Sequence, residues 1–336
     1  MTQMPIRKRR TPMIRVLRAA AILIVVLALV YAVLMFMIPA FETVDGTKAA
    51  GASDWMKALD DSIPISSVVL PGTHDSASLN ARLAFFSKCQ AASVGEQLEA
   101  GFRYLDIRLA LDGDRLKLVH GFVDCRENTA PWSKALYLDK VLGECYSFLE
   151  AHPTEFVVFA VKSDRDGDPD RRVCELLDGY IGKDPDRWLL TDSIPTVGQA
   201  RGRLVLMHRF IETVDGMTSR AIPFRWDNQN NRDMTAVNTS EIDKESYTLW
   251  VQDRFKYGTE DKWTAFSRAF GEGRADGEDI FLNFLSTNGN VKFGHPYYHA
   301  KTLNARFMES DFELKGWIIV DFASSKIAEK IFSANF

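Results

Sequence analysis

The chain has 336 residues and a formal net charge of −4, with 46% hydrophobic and 26% charged residues. This balance is typical of a globular protein long enough for one large domain or two ordinary ones. Lysine and arginine are scattered after residue 20 and form no basic stripe with aromatic residues, which argues against a nucleic-acid-binding protein.

The first 41 residues are predicted to lie outside the fold. Six lysine and arginine residues stand in residues 1–18, whereas residues 19–41 are uncharged and rich in Ala, Leu, Ile and Val. The second stretch is about long enough to cross a bilayer as a helix, and it is apolar on every side, unlike a core helix. It is long for a signal peptide and ends in a poor cleavage site, so a membrane anchor is favoured over a cleaved signal sequence. The positive-inside rule places residues 1–18 in the cytoplasm and the rest of the chain outside it, where a cleaved form would be secreted.

Residues 42–62 are predicted to be a tether followed by a short helix. Trp55, Met56 and Leu59 form the apolar stripe of that helix. The folded domain is expected to begin near Ile63 and to span residues 63–336. No sequence repeat or low-complexity segment interrupts it.

Two histidines stand at the ends of predicted strands. Residues 68–76 read Val-Val-Leu-Pro-Gly-Thr-His-Asp-Ser, a short β-branched run closed by Pro-Gly, so His74 and Asp75 are expected at the rim of a sheet or barrel. A second run, residues 116–121, carries His120 near its end. Histidine titrates near neutrality and can serve as an acid or as a base.

Another run, residues 102–109, is predicted to be a strand with two different faces. Its side chains alternate, so that Tyr104, Asp106 and Arg108 share one face and apolar residues share the other. Together with the two histidines and Asp75, this strand supplies an acid–base set around an anion site.

Residues 81–100 are predicted to be helical, with a break near Ser93 and Gly95. Phe85 and Phe86 follow soon after the His74 turn. They form either an apolar lip that dips into lipid or part of the core, and two aromatic residues on a helix are more often core residues.

The rest of the chain alternates helical stretches with short apolar runs that end in polar or charged residues. Near-continuous apolar runs separated by helices indicate a parallel sheet buried on both faces, and about seven of them in one domain indicate an α/β fold with a TIM-like (β/α)8 barrel. The carboxyl ends of such strands meet at one mouth. The residues expected there are His74, Asp106, Arg108, His120, Lys162, Arg209, Asp253 and Asp321. The polar stretch at residues 215–245 is predicted to be a surface insertion.

The four cysteines, Cys89, Cys125, Cys145 and Cys174, match no zinc-ligand spacing. In an oxidising compartment they could pair in three ways, and the pair favoured is Cys89 with Cys125, because both flank the expected site. Free buried thiols are an equally good interpretation.

Three motifs resemble the X domain of phosphatidylinositol-specific phospholipase C in its bacterial form. They are Pro-Gly-Thr-His-Asp-Ser at residues 71–76, Gly-Phe-Arg-Tyr-Leu-Asp-Ile-Arg at residues 101–108 and Val-His-Gly at residues 119–121. The resemblance runs from about residue 60 to the end of the chain, through residues 152–157, 200–205, 251–255 and 320–322. It implies a distorted, incompletely closed TIM-like barrel and cleavage of a phosphodiester by a hydroxyl of the inositol ring.

The resemblance also implies roles for the acid–base set. His74 matches the general base that takes the proton of the inositol 2-hydroxyl, and His120 matches the general acid that protonates the departing diacylglycerol oxygen. Asp321 and Asp75 match the carboxylates that orient these imidazoles, while Asp106 falls near the leaving-group side.

Arg108 bears on the metal requirement. In the calcium-dependent enzymes of the family, carboxylates at the positions of Asp106 and Arg108 help to bind the ion. An arginine at the second position instead supplies the positive charge that the phosphate needs. The resemblance therefore implies no metal and no other cofactor. The positions that it implies for inositol binding are Lys162, Asp164, Arg209, Asp253 and Phe255, with Phe255 standing where the family offers a tyrosine.

Three functions stay open at the level of the sequence. The first is a membrane-anchored phospholipase C-like enzyme that acts on phosphoinositides or related lipids. The second is a glycerophosphodiesterase or sphingomyelinase D-like enzyme on a similar barrel, which would need a divalent metal and a carboxylate cluster where Arg108 stands. The third is a lipid- or sugar-binding module without catalysis, although such a module would have lost a histidine or Arg108. Nothing in the sequence indicates an oligomeric state.

Overall fold

The computed structural model describes residues 11–230, 239–291 and 294–336, and these contain a sheet of twelve strands. The strands are β1 Leu70–Thr73, β2 Tyr104–Asp112, β3 Arg115–His120, β4 Val123–Asp124, β5 Val157–Ser163, β6 Trp188–Leu189, β7 Leu204–His208, β8 Ile222–Pro223, β9 Ser240–Asp243, β10 Thr248–Gln252, β11 Asp279–Phe284 and β12 Trp317–Val320. The helices are α1 Thr11–Ala32, α2 Ile38–Ala40, α3 Ala84–Ser87, α4 Val94–Glu99, α5 Leu138–Ala151, α6 Asp170–Ile181, α7 Val197–Ala200, α8 Thr259–Glu272, α9 Pro296–Glu309 and α10 Ser325–Phe332.

The sheet has the order β6-β7-β5-β2-β1-β12-β11-β10-β9, in which neighbours run parallel except β9, which is antiparallel to β10. β8 lies parallel beside β7, while β3 and β4 extend β2 as antiparallel strands. Within the described ranges no strand pairing joins the β6–β8 edge to β9 or β10. The predicted incompletely closed, TIM-like barrel is therefore confirmed.

The parallel strands are buried on both faces, as their near-continuous apolar sequences predict. In β2 the alternation places Tyr104 in the core inside the barrel, whereas Leu105 and Ile107 lie in a second core between the strands and helices α5 and α6. Each fully buried leucine or isoleucine contributes about 1.5–3 kcal/mol to folding. The polar side chains of Asp106 and Arg108 follow Tyr104 on the inner face and point toward the mouth.

One helix in the described part of the chain is long and apolar enough to cross a membrane, Met13–Ala40, which comprises most of α1, a π-helical segment at Val33–Met37 and α2. Its side chains are almost all exposed. By its length, composition and place near the N-terminus, this helix is a candidate membrane anchor or signal sequence. The first ten residues, which hold most of the predicted basic tail, lie outside the described residues.

The expected tether is packed against the barrel, so the boundary predicted near Ile63 is too late. Trp55 and Met56 lie in the inner core, on a short 3₁₀-helix. The indole Nε1 of Trp55 donates to the carbonyl of Gly101 at 3.0 Å, and the buried guanidinium of Arg103 donates to the carbonyls of Ala52 and Ser53 at 3.1 and 2.9 Å. Packing against this inner core therefore begins by about residue 49, which contacts it.

Two other local expectations differ from the structure. The polar stretch at residues 215–245 is not only a surface insertion, because β8 and β9 within it join the sheet and Phe224 and Trp226 are buried. Residues 231–238 of that stretch lie outside the described residues. The expected helix break near Ser93 is the beginning of α4, where the Ser93 hydroxyl accepts from the Glu96 amide at 3.3 Å.

The four cysteines are free and buried, so the structure contains no disulfide between Cys89 and Cys125. Cys125, Cys145 and Cys174 lie in the core between the strands and α5 and α6. Burial raises the pKa of Cys174 to about 12, and the other three thiols are shifted in the same direction by burial.

Candidate active site

His74 and Asp321 are brought together by two neighbouring strands. β1 and β12 run parallel with Thr73 opposite Val320, so the next residue of each strand emerges at the same edge. The Nδ1 atom of His74 lies 2.7 Å from Oδ1 of Asp321, whose side chain is 2% exposed. Gln90 links the ends of the two strands, because its Nε2 donates to the carbonyls of His74 and Val320 at 2.7 and 3.0 Å.

The backbone turns sharply after each of these two residues. Asp75 and Phe322 have φ angles of 44° and 49°, in the left-handed region that residues other than glycine seldom adopt. Such conformations cost on the order of 1–3 kcal/mol each and persist where the surrounding structure enforces them. Here the amide of Asp75 donates to Oδ2 of Asp106 at 3.0 Å, and the amide of Phe322 donates to the carbonyl of Cys89 at 2.7 Å. These bonds hold both turns at the mouth.

Arg108 lies at the centre of the mouth. From β2 its Nε and one terminal nitrogen donate to Oδ2 of Asp106, both at 3.1 Å, and the same terminal nitrogen lies 2.7 Å from Nε2 of His74. Its other terminal nitrogen is 3.4 Å from Oδ2 of Asp164. The guanidinium is thus fixed by two carboxylates and placed beside the ring nitrogen of His74 that Asp321 leaves free.

His120 reaches the mouth in a way that the sequence pattern did not predict. β3 is not a parallel barrel strand. It runs antiparallel to β2 with Leu118 opposite Leu109, because β2 continues past Arg108 and turns back at Gly113. His120 therefore returns to the level of Arg108. Its Nδ1 is in close ion-pair contact with Oδ2 of Asp75, and its ring centroid is 6.5 Å from that of His74.

The charges at the mouth shift several pKa values. Burial by itself would lower the pKa of His74, but the charge and hydrogen bond of Asp321 outweigh burial and the charge of Arg108, so the pKa is raised above its ordinary value. Burial would raise the pKa of Asp106, yet Arg108, His74 and Arg209 hold it below its usual range. Asp106 is therefore ionised near neutrality, and it keeps Arg108 in place as a charged partner.

A cavity of about 790 Å³ opens above these residues. The predicted site residues that line it are His74, Phe86, Arg108, His120, Lys162, Arg209, Asp253, Phe255 and Asp321. Asp75 and Asp106 are 1% and 3% exposed and lie behind the two histidines and Arg108. Asp164 also lies behind the lining, since its carboxylate accepts from Arg108, from Lys162 and from the amide of Gly121.

Trp226 belongs to the site although it lay in the stretch expected to be an insertion. It lines the cavity, the Arg209 guanidinium lies 3.5 Å from its ring centroid, and its Nε1 donates to Oδ2 of Asp253 at 3.1 Å. The alternation of Ile222, Phe224 and Trp226 is the sequence signal that could have indicated a strand here. Trp226 fixes Arg209 and Asp253 relative to each other.

The two phenylalanines of α3 have different surroundings. Phe86 lines the cavity, whereas Phe85 stacks on the ring of His295 with centroids 4.0 Å apart. Both side chains are partly exposed, so neither is a core residue. α3 therefore forms part of the rim.

Cys89 is a second residue that sequence patterns did not assign to the site. It lines the cavity, and its Sγ lies 3.8 Å from Nδ1 of His120. Burial, with the nearby charges of Asp321 and Asp75, raises the pKa of its thiol well above the ordinary value, so the thiol is protonated and unreactive as a nucleophile. Among the described residues, the groups that could hold a metal ion here are His74, Cys89 and Asp321, or Asp75, Cys89 and His120.

Comparison with known proteins finds similar bacterial enzymes, although no protein-family model matches the sequence. The chain is 26% identical over 291 residues to a 1-phosphatidylinositol phosphodiesterase of Staphylococcus aureus, covering 80% of this chain and 88% of that protein. It is 30% identical over 164 residues to the 1-phosphatidylinositol phosphodiesterase of Listeria monocytogenes, 46% of this chain and 47% of that protein. A solved structure of the S. aureus phosphatidylinositol-specific phospholipase C shares the fold with a TM-score of 0.70, at 24% identity over 85% of this chain and 98% of that one. The chain is therefore similar over most of its length to bacterial phosphatidylinositol-specific phospholipase C enzymes and shares their fold, and this similarity supports a phosphodiesterase enzyme.

Proposed function

We propose that this protein cleaves phosphatidylinositol by attack of the inositol 2-hydroxyl on phosphorus, giving diacylglycerol and inositol 1,2-cyclic phosphate. The observation that carries the proposal is the placement of two carboxylate-paired histidines, 6.5 Å apart between ring centroids, with Arg108 beside them. That separation suits one phosphodiester with a base on one side of phosphorus and an acid on the other.

His74 acts as the general base. Its Nδ1–H donates to Asp321, which leaves the Nε2 lone pair at the cavity, where it accepts from Arg108 at 2.7 Å until the 2-hydroxyl takes that place. Nε2 takes the proton of the 2-hydroxyl while that oxygen forms its bond to phosphorus. The Asp321 carboxylate stabilises the imidazolium that results.

His120 acts as the general acid. Asp75 holds its Nδ1, so Nε2 is directed at the substrate. As the bond between phosphorus and the glycerol oxygen breaks, Nε2 gives its proton to that oxygen, and diacylglycerol leaves with a hydroxyl group. Over the whole step one O–P bond forms, one breaks, and one proton moves from the inositol to the glycerol side.

Arg108 binds the non-bridging phosphate oxygens, on which negative charge builds during the reaction. Asp106 and Asp164 hold the guanidinium in position. Because a fixed cation stands beside Asp106, where the calcium-dependent enzymes use a second carboxylate, the proposed reaction needs no metal ion. This arrangement argues against the metal-dependent phosphodiesterases considered above.

The far side of the cavity is proposed to bind the inositol ring. Lys162, Arg209 and Asp253 offer charged groups to the ring hydroxyls, and Phe255 offers an aromatic face. Asp164 is proposed to position Lys162 and Arg108 instead of touching the substrate, because its side chain is 8% exposed and paired to both.

The N-terminal helix is proposed to be an uncleaved anchor that leaves residues 1–18 in the cytoplasm and the barrel outside it. The proposed catalytic domain then runs from about residue 49 to the end of the chain.

The test of the function is the rate of diacylglycerol release from phosphatidylinositol micelles by the full-length protein in EDTA. We expect release by the natural protein and a loss of at least a thousandfold in His74→Ala and in His120→Ala. Full activity in either variant, or abolition of activity by EDTA, would overturn the mechanism.

A further inference from the structure

The end of the apolar helix is attached to the rim of the cavity. Lys88, directly after α3, donates from Nζ to the carbonyls of Pro39 and Glu42 at 2.8 and 3.0 Å. The Glu42 carboxylate lies with Oε1 at 2.5 Å from Nε2 of His295, and Phe85 stacks on the His295 ring. We call this cluster of Pro39, Glu42, Phe85, Lys88 and His295 the junction.

The junction has the character of a built contact. Lys88 and Glu42 are 7% and 2% exposed, and burying a charged group costs several kcal/mol unless it is paired and hydrogen-bonded. Burial lowers the pKa of Lys88, and the nearby Glu42 charge opposes that shift. A flexible tether would leave both side chains in water, so their burial ties the helix end to α3 and α9.

The position of the junction relates the helix to the cavity. Ser87 and Cys89, on either side of Lys88, line the cavity, as do Gly294 and Pro296 on either side of His295. The mouth is therefore one residue away from the junction on both elements.

The length of the helix places the junction at the membrane surface. The uncharged part of this helix, residues 19–40, spans about 33 Å, close to the hydrocarbon core of about 30 Å. Glu42 follows two residues later, which limits its distance from the helix end to about 7 Å. Phe41, on the helix side, and Phe122 and Ile211, at the cavity, are 80%, 72% and 75% exposed, and apolar side chains of this kind suit a lipid surface.

We propose that the junction holds the mouth of the barrel against the bilayer that anchors the helix, so that the enzyme draws its phospholipid substrate from its own membrane. The occupant of the exposed apolar rim is that bilayer. The proposal rests on the proposed function for the nature of the substrate, but not for the orientation of the barrel.

The test uses the full-length protein in vesicles that contain phosphatidylinositol, and the double variant Glu42→Ala/His295→Ala breaks the junction. We expect the variant to lose about tenfold or more of the rate on lipid in its own vesicle and to keep the rate on a short-chain, monomeric phosphatidylinositol within twofold. Lys48→Ala is the matched control, because it removes the exposed Lys48–Glu99 ion pair away from the rim. A rate on vesicle lipid within twofold of the natural protein would overturn the proposal.

A second measurement needs no activity. The native cysteines are buried, so a polarity-sensitive fluorophore can be attached selectively at Ile211→Cys. We expect blue-shifted emission with an intact junction and emission typical of water in the double variant. Equal emission in the two would overturn the proposal even if the double variant had lost all activity. A blue shift that depends on the junction, with no cleavage of either substrate by the natural protein, would leave the orientation standing and remove the proposed function.

Discussion

Asp321→Asn isolates the contribution of one buried charge to the proposed base. The substitution keeps the size of the side chain and an oxygen for the 2.7 Å contact with Nδ1 of His74, but it removes the negative charge. A buried hydrogen bond to a charged group contributes about 1.5–3 kcal/mol, so we expect kcat to fall roughly 10- to 150-fold.

The pH profile of the same variant gives a second, independent readout. The base must be neutral, so the rate falls as the pH drops through the pKa of His74. Asp321 raises that pKa, and its loss lowers it, so the acid limb of kcat/KM should move to lower pH. Asp54→Asn, which removes the carboxylate 2.9 Å from Nδ1 of His152, is the matched control and should leave both quantities unchanged. An unchanged kcat with an unmoved acid limb in Asp321→Asn would refute the reasoning.

Three further predictions concern the arginines and their partners. Arg108→Lys keeps the charge but loses the planar guanidinium that bonds Asp106, so we expect kcat to fall about 100-fold in EDTA. Calcium should not restore the rate, and rescue by calcium would contradict the metal-free assignment. Glu155→Gln leaves the fully buried Arg103 without its ionic partner, so the free energy of unfolding measured in urea should fall by about 3–5 kcal/mol, and a loss under 1 kcal/mol would show that the pair is dispensable. Trp226→Phe keeps an aromatic ring beneath Arg209 but loses the bond to Asp253; KM for phosphatidylinositol should rise several-fold with little change in kcat, and an unchanged KM would remove Trp226 from substrate binding.

The barrel and the pairing of its strand ends could be predicted because both depend on local patterns. The period-two alternation of β2 set Asp106 and Arg108 on one face, and the apolar run of β12 coincides with the predicted strand, ending just before Asp321. Because the carboxyl ends of parallel barrel strands meet at one mouth, the pattern of the strands is enough to predict that these residues lie close together.

The features that were missed depend on contacts between distant parts of the chain. The pairing of Glu42 with His295 spans 253 residues, and no periodicity indicates it. The antiparallel course of β3 depends on how far β2 extends before its turn, which an apolar run does not reveal. The family resemblance implied that Asp164 binds inositol, yet its carboxylate lies behind the cavity lining, where it pairs with Arg108 and Lys162.

Phosphorus NMR of the full-length protein with phosphatidylinositol micelles in EDTA tests the central claim most directly. Attack by the 2-hydroxyl produces a five-membered cyclic phosphodiester, and its resonance should appear as that of the lipid declines. Formation of only a linear inositol phosphate, with no cyclic resonance at any time, would contradict intramolecular attack between His74 and His120.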